Sequence, residues 1–148
     1  MPGSRGTLAQ RAAIAIGAFY VVNGVIGLIV NPDFGTGSST SAKQFVIDWN
    51  GWHAALTLAL AAGAFLAAMR ATWALGFQAY NVLANATTAV WALVDKTPLG
   101  VLDLPHVSTD VVLHFVVATI SAIVVVIQLR RDRSASRPAA AGAAGAAT

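Results

Sequence analysis

The chain contains no cysteine and no glutamate. Without thiols there are no disulfides, thiolate-held metals or iron–sulfur clusters. The signatures of common soluble enzymes are also missing: there is no phosphate-binding glycine loop and no Gly-x-Ser-x-Gly. No catalysis is therefore expected. Charge is scarce, at 10% of residues, and none falls in the middle or inner half of the long apolar runs, where a proton relay would need it.

What is abundant is apolar surface. Hydrophobic residues make up 57% of the 148 positions and mean hydropathy is +0.69, more than a soluble domain of this length needs. A helix crosses a hydrocarbon core with roughly 20 apolar residues. Four windows qualify: Ala12 to Val30, Gly51 to Met69, Thr72 to Val94 and Val111 to Leu129. In lipid every backbone group must be bonded within its own segment, so these runs are helices. The expected fold class is all-α, a polytopic membrane protein with a bundle of four transmembrane helices over residues 12–131. A disordered leader (1–11) and a disordered Arg then Ala/Gly tail (132–148) flank it. The first run is longer than a signal-peptide core, and Asn31-Pro32-Asp33-Phe34 offers no small-x-small cleavage site, so it is kept as a helix.

The net charge of +3 would suggest nucleic acid in a soluble protein, but the positions of the charges argue for topology instead. Arg5, Arg11, Arg70, Arg130, Arg131, Arg133 and Arg137 lie beside one set of helix ends, and only Lys43 and Lys96 beside the other. The positive-inside rule makes both termini and the turn after Arg70 cytoplasmic. Asp33, Asp48, Asp95, Asp103 and Asp110 then lie outside, and Asp132 inside. The expected location is the cell (plasma) membrane. The bilayer is the expected partner, with a second copy or another membrane protein besides, and no nucleic acid.

Two helices carry polar heads. Asp48, Asn50 and His53 precede one apolar run, and Asp110 and His114 precede another. Seventeen positions separate His53 from Arg70 and His114 from Arg131. Each half therefore reads as an outgoing helix, an external loop, an Asp/His head and a closing arginine, which makes two parallel helix-hairpin repeats related by an axis along the membrane normal. His53 and His114 should then lie at matching depth. Asn23, Gln78, Asn81 and Asn85 form an inward polar face, because amides in lipid are costly unless they face the bundle interior. Ala55, Ala59, Gly63 and Ala67, at four-residue spacing, read as a close-packing face. Trp49 and Trp52 read as an external aromatic belt.

Asn50-x-x-His53 opening the second helix, with Asp110-x-x-x-His114 opening the fourth, resembles the actinobacterial membrane family known as domain of unknown function 4383. The resemblance spans roughly Arg11 to Arg131 and implies a four-helix integral membrane protein with no assigned activity. Family members often carry a further histidine just before the asparagine, and here Trp49 stands in its place.

The head residues admit four readings. A polar cap locking helix ends needs no cofactor and suits groups close to the membrane boundary. A transition metal on His53, His114 and Asp110 is an alternative. So is haem held by one histidine from each of two helices. A small transporter-like oligomer is the fourth. The expectation from sequence is a structural or partner-binding membrane component without a cofactor.

Overall fold

The computed structural model describes residues 6–35, 42–44, 47–94 and 108–136. Helices α1 (Leu8–Val30), α2 (Gly51–Ala68), α3 (Ala71–Val94) and α4 (Ser108–Ala135) account for most of them, and two short strands, β1 (Ala42–Gln44) and β2 (Ile47–Trp49), sit between α1 and α2. Expectations for residues 1–5, 36–41, 45–46, 95–107 and 137–148, including His106, the second external loop and the Ala/Gly tail, lie outside the described residues.

α1 begins four residues before the expected start, so 8–11 belong to the helix and not to a leader. The cause is a capping box. Thr7 Oγ1 accepts from the Gln10 amide at 3.2 Å, and Gln10 Oε1 accepts from the Thr7 amide at 2.9 Å, satisfying two donors that a helix start leaves open. At its far end Asn31 takes an extended backbone, and Pro32 cannot continue the helix. α4 likewise runs past the expected 129 to Ala135, and Gln128 Nε2 donates to Asp132 Oδ1 at 2.8 Å along it.

The link from α1 to α2 holds a structure that was not expected. β1 and β2 pair antiparallel, Ala42 with Trp49, Lys43 with Asp48 and Gln44 with Ile47. Ile47 and Trp49 point inward with Asp48 between them, the period-two alternation of a half-buried strand. Trp49 is therefore core and not belt: it is 2% exposed and packs against Gly27, where a methyl group would collide with its indole ring. Trp52 stays partly exposed and donates its indole N–H to the Phe34 carbonyl at 2.9 Å.

All four helices lie antiparallel to their sequence neighbours. Gln10 of α1 donates to the Ala68 carbonyl at the end of α2, and the Ala9 amide at the start of α1 to Gln128 Oε1 near the end of α4. Arg11, Arg70, Arg130, Arg131 and Arg133 therefore share one end of the bundle. α2 and α4 run in the same direction, so their heads share the other. α1 packs chiefly on α2 and α3 on α4, whereas α2 and α3 touch sparsely although only Met69 and Arg70 separate them.

The close packing between α1 and α2 uses Gly17 and Gly24 against Ala54, Leu58 and Ala64. The expected ladder is displaced from this face. Ala59 is exposed, and a methyl group on Gly63 would meet only Phe77, at 4.0 Å. Ala59 and Gly63 border the loosely filled space between α2 and α3 instead.

α1, α2 and α4 are long and apolar enough to cross a membrane. Their outward surfaces are apolar, with Val22, Ile29, Leu66, Val112 and Ile123 all exposed. A water-soluble domain does not present so continuous an apolar surface. α3 is as long, at 24 residues, but its amides lower its hydropathy.

Candidate functional site

At the head end, Asn50 caps α2. Its Oδ1 accepts from the His53 amide at 2.8 Å, which directs the first turn so that the His53 ring lies beside β2. His53 Nδ1 donates to the Asp48 carbonyl at 2.9 Å, and its ring packs on Trp49 with centroids 4.7 Å apart. Asp48 thus reaches His53 through its main chain.

On α4, Asp110 and His114 are one turn apart and so share a face. Asp110 is 1% exposed and His114 is half-buried. The His114 Nε2 lies 3.9 Å from Asp110 Oδ1. The rings of His53 and His114 stack at 6.5 Å with 17° between planes. His53, Asp110 and His114 each offer one ligand atom, and the three atoms lie within 4.8 Å of one another. Asp48 and Asn50 support this trio without joining it.

The other nitrogen of His114, Nδ1, donates to Asn85 Oδ1 at 2.8 Å. The orientation of the Asn85 amide follows from its neighbours. Its Nδ2 donates to Asn81 Oδ1 at 2.9 Å, to the Asn81 carbonyl at 3.0 Å and to the Tyr20 hydroxyl at 3.1 Å, which turns Oδ1 towards the histidine. Tyr20 donates to Asn81 Oδ1 at 2.8 Å, and Asn81 Nδ2 donates to Ser121 Oγ at 2.8 Å. One buried chain of hydrogen bonds therefore joins α1, α3 and α4 and ends on His114. Interhelical bonds of this kind contribute roughly 0.6 kcal/mol each in membrane proteins, up to about 1.7.

Two residues of the expected polar face stand apart from this chain. Asn23 is only partly buried, and its amide returns to the Phe19 carbonyl of its own helix at 2.8 Å. The α1 contribution comes from Tyr20, one turn earlier. Gln78 is fully buried, and neither atom of its amide has a hydrogen-bond partner. Sequence reasoning left Tyr20 and Ser121 out of the site. The available signal was their register: Tyr20 shares the α1 face of Gly24 and Gly27, and Ser121 lies seven residues from His114.

Two spaces adjoin the histidines. A void of about 30 Å³ touches His53, Asp110, His114 and Asn85, room for a single ion or water. A larger cavity of about 550 Å³ lies between α2 and α3, with His53 and His114 at its head and Ala59, Gly63 and Phe77 along its apolar walls.

No curated protein and no solved structure matches the chain. The family described as domain of unknown function (DUF4383) matches residues 10–127, from the first turn of α1 to the last turns of α4. That span covers all four helices and both histidine heads, and the chain belongs to this family.

Proposed function

We propose that this protein is a four-span component of the bacterial cell (plasma) membrane, non-enzymatic, acting in a structural or partner-binding role, with its polar head on the external side and both termini in the cytoplasm. The observation that carries the topology is the common direction of α2 and α4. If both cross the membrane the same way, the chain must return between them, and α3 is the return. Its 24 residues extend about 36 Å, longer than a hydrocarbon core. Its Gln78, Asn81 and Asn85 are buried, whereas Trp73, Leu83, Val90 and Leu93 face outward, so its lipid surface is apolar. The arginines gathered at the opposite end support the cytoplasmic assignment. The two hairpins, each closing on an arginine and heading with a histidine, support the reading of a duplicated unit.

The partner-binding role is supported by the cavity between α2 and α3. Small residues along α2 let a second helix approach closely, and here Ala59 and Gly63 border unfilled space. The occupant is a transmembrane helix, from another copy of this chain or from another membrane protein. Because the chain has no cysteine, Ala59→Cys carries a unique attachment point for a photo-crosslinker in native membranes. Crosslinked adducts at Ala59, absent from Val22→Cys on the outer side of α1, are expected. Monomer alone at both positions contradicts the role.

A further inference from the structure

Resting on the external placement of the head, we propose that His53, Asp110 and His114 form a binding site for a divalent first-row transition ion of the zinc class. Three observations converge on it. The ligand atoms come from two helices and lie within 4.8 Å of one another, with the His114 Nε2 and Asp110 Oδ1 pair at 3.9 Å. Tetrahedral ligation with bonds of about 2.0–2.1 Å sets ligand atoms about 3.4 Å apart, so closure onto an ion moves side-chain ends by little more than an ångström.

The second observation is the state of the imidazoles. Each directs Nδ1 to a carbonyl oxygen, His53 to the Asp48 main chain and His114 to the Asn85 side chain. An oxygen acceptor requires the proton on Nδ1, so in the neutral ring Nε2 carries the lone pair. Metal-binding histidines are held in this way, with the second nitrogen committed to an oxygen that fixes tautomer and ring orientation. The chain Ser121–Asn81–Tyr20–Asn85 extends that support to three helices.

The third is space and charge. The 30 Å³ void touches all three side chains. The Asp110 carboxyl is buried at this end of the bundle, whereas the arginines among the described residues lie at the other. The positive ends of α2 and α4 oppose a cation here, and Asp110, ionised when it ligates the ion, offsets them. Two imidazoles with one carboxylate favour zinc and its neighbours over calcium or magnesium, which prefer all-oxygen shells. Three protein ligands leave a fourth position for water or a ligand, and the same histidines border the 550 Å³ cavity.

The test is metal content, read in detergent and so independent of membrane orientation. The full chain, purified on a tag without histidine, is dialysed against zinc, stripped of free ion and analysed. About one zinc per chain is expected, retained in Asp132→Asn at the opposite end of the bundle, falling to background in the His53→Ala/His114→Ala double variant and binding at least ten-fold more weakly in Asp110→Asn. Should the double variant fail to fold, cobalt added to the unmodified protein gives an independent reading: visible ligand-field absorption that zinc abolishes. Background metal in the unmodified protein, undiminished zinc in the double variant, or a cobalt spectrum no different from free cobalt overturns the site.

Discussion

Asn85 accepts the Nδ1 proton of His114 at 2.8 Å while its own Nδ2 is committed to Asn81 and Tyr20. The orientation of a histidine at the head end of the bundle is thereby fixed from two other helices. Asn85→Ala would leave the Tyr20 hydroxyl and the His114 ring short of partners in a buried setting. The expected loss is about 1–3 kcal/mol, the cost of an unsatisfied buried group. Asn23→Ala, which removes only a bond to its own helix, should stay within about 0.5 kcal/mol. Unfolding of both variants in detergent decides this, and equal losses would remove the distinction between the two amides.

Gln78 stands for the opposite case. Its amide is buried with neither atom paired, so it contributes desolvation cost without a bond in return. Gln78→Leu, similar in volume, should raise stability by about 1–3 kcal/mol. A destabilised Gln78→Leu would show that the amide bonds within the working protein.

Two glycines make a third comparison. Gly27 lies under the Trp49 ring, whereas a methyl group on Gly76 meets nothing within 4 Å. Gly76→Ala should be neutral or stabilising by up to about 1 kcal/mol through helix propensity. Gly27→Ala should lose about 1–3 kcal/mol, because Trp49, and His53 packed on it, must move. Tryptophan fluorescence alongside unfolding reads both effects, and an unshifted Trp49 environment in Gly27→Ala would contradict the packing.

Much of the fold was legible, and the omissions have physical causes. Long apolar runs set α1, α2 and α4, because a membrane helix announces itself by length and hydropathy together. Helix starts were less visible in the same terms: Thr7-x-x-Gln10 is a capping signal, but it lies outside the apolar run. The β1–β2 hairpin was missed because three-residue strands carry almost no periodic signal, though Ile47-Asp48-Trp49 does alternate. Spacing within one helix identified residues that share a face but not which neighbour that face meets. Hence the Ala55–Ala67 ladder was assigned to tight packing that Ala54, Leu58 and Ala64 provide. For the same reason Asn23 was named where Tyr20 makes the cross-helix bond. At the site, the position of each histidine on its helix was readable from sequence. The outer hydrogen bonds that the histidines donate to Asp48 and Asn85 depend on tertiary approach and were not.

The measurement that bears most directly on the account is the side of the membrane on which each helix end emerges. Gly35→Cys, Ala71→Cys and Ser134→Cys place single thiols at exposed positions in a chain without native ones. Four crossings predict that a membrane-impermeant maleimide labels Gly35→Cys in intact cells, and labels Ala71→Cys and Ser134→Cys only after permeabilisation. Labelling of both Gly35→Cys and Ser134→Cys in intact cells would mean that α3 does not cross, and the common external head of α2 and α4 would fall with it.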